Sequence, residues 1–326
     1  MKAGPSAALL RVQGLRVAFP IGGVMTEAVR GVDFALAPGE ALGLVGESGS
    51  GKSLSAMAVM QLVARPGRVT AGSAELGGTD LLRLTEAEMR RRRGREISMV
   101  FQDPSTALNP AFTIGQQLVH TIGTHRPELG RRALRDRAAE VLALVGIPSP
   151  RDRLGQYPHE FSGGMRQRVL IAMAVACEPK LLIADEPTTA LDVTVQARIV
   201  DLLADLRQRL GLSILFISHN LDLVAEICDR VAVMYAGRIV ETGPVGSLFT
   251  RPLHPYATLL QNCVPRLGPG TEALQSIAGA PPRLDRMPPG CPFHPRCPAS
   301  RDVCPTEYPP MRAFGAQHVA CWAVAS

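Results

Sequence analysis

The apolar run Ala41, Leu42, Gly43, Leu44, Val45 ends abruptly in Gly46-Glu47-Ser48-Gly49-Ser50-Gly51-Lys52-Ser53. Three glycines within six residues cannot hold a pleat. They can turn tightly and let successive backbone N–H groups face one point. A glycine, four free positions, then Gly-Lys-Ser is the phosphate-loop pattern, and it requires a buried strand before it and a helix after it. In this reading the loop Gly46, Ser48, Gly49, Ser50 and Gly51 cradles a polyphosphate. The helix beginning near Gly51 adds its positive end, Lys52 a point charge for the outer phosphates, and Ser53 a hydroxyl ligand for Mg²⁺. A glycine-rich turn matching by chance is the bland alternative, and the strand and helix on either side count against it. Lysine occurs only at Lys2, Lys52 and Lys180 in a chain rich in arginine, which fits a site that wants a compact ammonium.

At 326 residues the chain has length for one large domain and a small one. Its longest apolar run, Val169 to Cys177, is about half of a bilayer span, so no transmembrane helix is expected. Arg11 and Arg16 interrupt the short apolar start, so no secretory signal is expected and a cytoplasmic setting follows. Net charge is +6 and the isoelectric point is near 9.2, but aromatics are only 4% with no stacking pattern, so nucleic acid is not the expected partner.

Leu9 to Phe19, Val29 to Leu36 and Val69 to Leu76 read as strands, with Pro38-Gly39 turning into the strand before the phosphate loop. Phe19 suits a core position better than a base-stacking one on these grounds alone. Thr85 with Glu88 predicts a capping box for a short helix carrying Arg90 to Arg93, a run read as a solvated face rather than a lipid or partner contact. The strand Ile97 to Phe101 meets Gln102-Asp103-Pro104, which leaves Gln102 at a strand end, where an α/β sheet faces its ligand crevice. Ala111 to Val145 has helical periodicity and reads as an inserted helical region.

At Phe161-Ser162-Gly163-Gly164-Met165 a good N-cap and two glycines open a long helix. Its exposed amides make a second anion site, or simply a capped helix start. Leu181 to Ala184 is a buried strand running into Asp185 and Glu186. Adjacent acids at an apolar strand end cost desolvation unless a cation meets them. Asp185 is therefore the expected Mg²⁺ partner, and Glu186, pointing the other way along the strand, is placed to polarise a water. Ser213 to Ser218 is another apolar strand, ending at His219, which is placed to reach a γ-phosphate; two short strands flank Gly237.

With these pieces in chain order, the sequence resembles the ATPase subunits of ABC transporters. By similarity the phosphate loop is the Walker A motif, Gln102 the Q-loop glutamine and an Mg²⁺ ligand with Ser53 and Asp185. Residues 161–165 are the signature, residues 181–186 the Walker B strand with Glu186 as base, Thr189 to Asp192 the D-loop, and His219 the switch histidine. The resemblance moves Phe19 to the base-stacking position. Met165 replaces the commoner glutamine, while Ser162, Gly163 and Gly164 keep the expected phosphate contacts. The stretch Phe161 to Val169, with Arg251 to Ala257 (Arg-Pro-Leu-His-Pro-Tyr-Ala) and Asp103 to Pro110, is similar to the oligopeptide/dipeptide importer branch. The implied fold is an α/β P-loop nucleotide-binding domain, residues 1–262, with a β subdomain and a helical subdomain at about 104–165. A small cysteine-rich domain follows at 263–326. The resemblance further implies ATP and Mg²⁺, a second ATPase subunit (a paralogue), two transmembrane permease subunits and an extracytoplasmic peptide-binding protein. It places the chain peripherally on the cytoplasmic face of the membrane. Nickel or another small solute is the alternative cargo; a soluble ABC ATPase acting on nucleic acid or ribosomes is the alternative machine, and a P-loop kinase would leave the signature unexplained.

Beyond Gly268 the composition turns to Pro, Gly and Arg, and Cys291, Cys297, Cys304 and Cys321 fall in a segment too short for a large core. In a reducing compartment a metal explains them better than disulfides. Zinc favours cysteines two to four residues apart, whereas these are wider, and three of them precede proline. The spacing favours an iron–sulfur cluster, while His294 and His318 keep a mixed zinc site open. In similar importer ATPases the tail carries a [4Fe-4S] cluster. Cys177, Cys228 and Cys263 read as small hydrophobes.

Overall fold

A computed structural model describes residues 8–102, 107–189, 191–263 and 277–324. Its strands are β1 (Leu10–Ile21), β2 (Val24–Leu36), β3 (Ala41–Val45), β4 (Arg68–Leu76), β5 (Thr79–Asp80), β6 (Ile97–Val100), β7 (Leu181–Asp185), β8 (Ser213–Ser218), β9 (Arg230–Tyr235), β10 (Arg238–Pro244), β11 (Arg312–Phe314) and β12 (Gln317–Val319). Its helices are α1 (Lys52–Val59), α2 (Glu86–Arg92), α3 (Ile114–His125), α4 (Arg131–Leu144), α5 (Pro150–Arg153), α6 (Gly163–Val175), α7 (Val193–Leu210), α8 (Leu221–Ile227), α9 (Val245–Thr250) and α10 (Pro255–Asn262). They fall into two compact units: the described residues of Met1–Ala37, Ala41–Arg83 and Ile217–Ser326, and those of Pro38–Glu40 and Leu84–Phe216.

In the first unit, β2, β1, β4 and β5 form an antiparallel sheet in that order. A second set of strands runs β11-β12-β10-β9-β3, with β3 parallel to β9 from Leu42 opposite Arg230 to Val45 opposite Val233. All five residues of β3 are buried. Each buried Leu or Val contributes about 1.5–3 kcal/mol, which fixes the strand that feeds the phosphate loop. The hairpin from β1 to β2 is longer than the sequence predicts. Met25, Thr26 and Glu27 pair with Pro20, Phe19 and Ala18 across a turn in which Gly22 and Gly23 take φ of +57° and +83°. Of these six residues Pro20 and Met25 are exposed, Ala18 is buried and the other three are half-buried, so the pairs lack the apolar alternation that marks a strand.

In the second unit β6 and β7 run parallel, from Ile97 opposite Leu181 to Val100 opposite Ala184, and are wholly buried. The segment expected to be helical holds α3 and α4. Thr113 and Gln116 form a reciprocal capping box at the start of α3, a pair the sequence analysis did not single out. The predicted box of Thr85 and Glu88 caps α2. Arg90 and Arg91 are exposed, while Arg92 and Arg93 pair with Glu96 at 2.8 Å and Glu86 at 2.7 Å. The helix α6 buries Val169 to Ala172 and Ala174 to Val175, that is, most of its circumference, because β6, α3, α4 and α7 surround it. Among the described residues no helix is long and apolar enough to cross a membrane.

The pairing of β1 with β4 shifts register between Gln13 and Arg16, and there Gly72 adopts φ +103°. A Cβ at Gly72 would lie 2.6 Å from the Cα of Leu15. Gly72→Ala is expected to lower the urea midpoint of the full chain by the equivalent of about 1–3 kcal/mol; an unchanged midpoint would mean that the bulge is not locked by this contact.

Candidate functional site

The phosphate loop lies in the first unit, between β3 and α1. Gly46, Gly49 and Gly51 have φ of +150°, +78° and +102°. A Cβ on Gly46 would sit 2.2 Å from the Met234 carbonyl oxygen, and one on Gly51 2.9 Å from Met234 Cε and 3.2 Å from the Ala28 carbonyl oxygen. The β9–β10 turn thus forms a wall behind the loop, and it donates Gly237 N–H to the Ser50 carbonyl at 2.9 Å. Gly51 is the N-cap of α1 and makes no side-chain cap, so the first-turn amides carry the helix's positive end. Lys52 is 4% exposed, and its Nζ donates to the carbonyls of Gly46 at 2.8 Å and Glu47 at 3.0 Å. Ser48 and Gly49 are exposed at the tip, Ser50 is buried and Ser53 half-buried. Phe19 is half-buried with its ring against Gly67, where a Cβ would fall 2.3 Å from the ring. His219, also in this unit, is exposed just after β8 and precedes Asn220, whose side chain caps α8.

The second unit gathers the acidic residues. Asp185, the last residue of β7, is 6% exposed. Glu186 follows in the left-handed region at φ +46°, an uncommon conformation for a side-chain-bearing residue. Its Oε2 accepts from Gln102 Nε2 at 2.9 Å and from Thr189 Oγ1 at 2.9 Å. Gln102 and Glu186, paired here, are 84 residues apart in sequence. Thr189 was legible only as part of the D-loop; its hydrogen bond three residues back to Glu186 was missed. Ser162 is exposed, and its Oγ accepts from Met165 N–H at 3.3 Å as the N-cap of α6. A Cβ on Gly164 would lie 2.7 Å from Val195 Cγ1, so packing against α7 requires glycine there as well. Asp103 to Thr106 lie outside the described residues.

Cys291, Cys297, Cys304 and Cys321 all line one small cavity in the first unit, together with His254 and His294. Burial pushes the Cys291 thiol up to about 11 and raises Cys297 and Cys321, with neighbouring thiols adding to each. The Arg301 and Ala323 amides donate to the sulfurs of Cys304 at 3.4 Å and Cys321 at 3.3 Å. Among the described residues, however, no three His, Cys, Asp or Glu side chains converge as a set that could hold a metal ion. His318 is exposed on β12 and is not among the residues lining this cavity, which removes it from the mixed zinc set. His254 is completely buried, which pushes its imidazole down to about 3, and its Nδ1 accepts from Tyr256 N–H at 3.0 Å. Cys177 and Cys228 are buried, and Cys263 is half-buried. The tail also reaches the phosphate loop, since Arg296 pairs with Glu47 at 2.8 Å.

A glycine loop opening onto a helix N-terminus, and a strand-end acid pair on a parallel sheet, define a P-loop ATPase. Residues 29–189 match the family described as ABC transporter, and residues 240–304 match the oligopeptide/dipeptide transporter C-terminal region. The chain is 49% identical over 307 residues to the oligopeptide transport ATP-binding protein OppD of Escherichia coli, covering 94% of this chain and 90% of that one. It is 48% identical over 316 residues to the dipeptide transport ATP-binding protein DppD of Bacillus subtilis, covering 96% and 94%. Among solved structures, the ATP-binding cassette MJ0796, solved as a dimer in a post-hydrolysis state with ADP and Pi, superposes with a TM-score of 0.64 at 25% identity, covering 72% of this chain and 98% of that one. The chain belongs to the ABC transporter ATP-binding subunits of the oligopeptide/dipeptide importer family, and it is an ATPase of that type.

Lys52→Ala removes the only ammonium in the loop and leaves the phosphate charge uncompensated. ATP affinity is expected to fall at least about tenfold, read by titration with a fluorescent ATP analogue and Mg²⁺; an unchanged affinity would overturn the role given to Lys52.

Proposed function

We propose that this chain is the ATP-hydrolysing subunit that powers import of di- or oligopeptides across the cytoplasmic membrane. It sits peripherally on the cytoplasmic face, in an assembly with a second ATPase subunit, two transmembrane permeases and an extracytoplasmic peptide-binding protein. Support comes from the peptide-transport names of its relatives and from the match of residues 240–304 to the peptide-transporter C-terminal region. The dimeric form of the similar cassette supports a pair of ATPase subunits. In domain terms the nucleotide-binding part is residues 1–262, with a helical subdomain at about 104–165, and the cysteine-rich part is 263–326.

Lys52 and the loop amides of Gly46 and Ser48 to Gly51 take the phosphates of ATP, Ser53 ligates Mg²⁺, and Phe19 offers its ring to the base. Asp185 and Gln102 serve as Mg²⁺ partners, Ser162, Gly163 and Gly164 supply the second phosphate contact, and His219 holds the γ-phosphate. Glu186 accepts the proton of the attacking water. The observation that carries this role is its carboxylate, fixed at one oxygen by Gln102 and Thr189. Glu186→Gln keeps the shape but cannot take the proton, so in the assembled transporter it is expected to bind ATP and hydrolyse it about a hundredfold more slowly. Wild-type turnover would sink this assignment.

The cysteine-rich part is read as the holder of a [4Fe-4S] cluster, with zinc as the alternative. Four thiols lining one cavity, two of them receiving amide hydrogen bonds, are a donor set suited to thiolates, which burial otherwise disfavours. When bound, such a cluster cross-links the tail. Anaerobically purified protein should then be brown, absorb near about 400 nm and carry roughly four irons per chain, and Cys297→Ser should bleach most of the colour. A colourless anaerobic preparation with one zinc per chain would decide for zinc.

A further inference from the structure

Glu47 places an acid inside a loop that receives a polyphosphate, an arrangement that repels the ligand unless the charge is answered. In the structure it is answered from the C-terminal segment. Arg296 Nη1 and Nη2 donate to the two Glu47 carboxylate oxygens at 2.8 and 2.9 Å, a bidentate pair, and the Arg296 side chain is 6% exposed. The rest of its fork is also used: Nε donates to the Ala278 carbonyl at 3.0 Å, Nη2 to the Ile277 carbonyl at 3.3 Å and Nη1 to Tyr235 Oη at 3.3 Å. All five guanidinium N–H groups thus have an acceptor, which fixes the plane of the fork. The Glu47 backbone is held as well, since its N–H donates to Tyr256 Oη at 2.7 Å. Tyr256, Tyr235 and Phe293 pack with ring centroids 4.6 to 5.3 Å apart, so the hydroxyl and the guanidinium stand on a common aromatic base.

We propose that Arg296 and Tyr256 are positioning residues for ATP: acting through Glu47, they set the first turn of the phosphate loop and cancel the acid's charge where the triphosphate arrives. The tail is then a working part of the nucleotide site, beyond any role as an attachment. Arg296 directly precedes Cys297, one of the residues lining the cysteine cavity. The proposal rests on the ATP reading of the loop.

The test is a set of full-length variants measured for binding of a fluorescent ATP analogue with Mg²⁺, and for ATPase kinetics in the assembled transporter, with melting temperature recorded for each. Arg296→Ala should raise the dissociation constant and KM for ATP at least about tenfold while kcat at saturation stays within about twofold. Tyr256→Phe keeps the ring packing and loses only the hydroxyl, and should raise KM by about threefold with at most a small drop in melting temperature from the one lost hydrogen bond. The decisive variant adds Glu47→Gln to Arg296→Ala: removing the uncompensated acid should bring KM back to within about threefold of wild type. If Arg296 merely staples the fold, Glu47→Gln will not rescue KM, or kcat will drop along with the melting temperature as KM rises; either result overturns the proposal. Wild-type protein that binds no ATP analogue overturns the ATP reading, and this inference with it.

Discussion

A loop that presents amides to a phosphate must leave those amides pointing into open space, so it cannot hold itself in place by its own hydrogen bonds. Its shape depends on what stands behind it. Here the wall is backbone: the Met234 carbonyl leaves Gly46 no room for a side chain, Gly51 is held at φ +102° beside the Ala28 carbonyl, and the Gly237 N–H holds the Ser50 carbonyl. Buried strand β3 on one side and α1 on the other fix the ends. Lys52 is folded back onto the carbonyls of its own loop, and its Nζ donates to Gly46 and Glu47.

The acidic end of β7 meets a different constraint. Asp185 and Glu186 leave a wholly buried strand, and two carboxylates there cannot share one environment without cost. The chain separates them by turning Glu186 into a positive-φ conformation, which directs it toward Gln102 and Thr189. That strain persists because two side-chain donors over-determine the carboxylate, as is usual where backbone strain serves chemistry.

The tail gains its order from the unit it joins. Glu241, fully buried on β10, accepts from the amides of Leu253 and His254 and from Gln317 Nε2, so one carboxylate ties β10 to the start of α10 and to β12. Burial raises its pKa against those hydrogen bonds. Phe293 fills the aromatic base beside Tyr235 and Tyr256, and the cysteines surround a cavity next to it. Aromatic burial and a satisfied buried acid thus supply packing that the tail's composition does not suggest.

Local signals were enough for the phosphate loop, the strand ending in Asp185 and Glu186, the cap at Ser162 and the box at Thr85, because each is written in residues a few positions apart: glycine spacing, apolar runs and side chains that reach back to nearby amides. Family resemblance, carried by those motifs in order, added the expectation that Gln102 ligates Mg²⁺ and that Phe19 takes the base-stacking position. The start of β2 was invisible, since its exposed and half-buried residues carry no alternation. Tertiary structure alone decided which donor meets which acid: Gln102 with Glu186 across 84 positions and Arg296 with Glu47 across 249. Sequence fixes what each residue can do within its own turn of chain; which distant donor answers which acid depends on how strands and helices pack, and no local spacing encodes that.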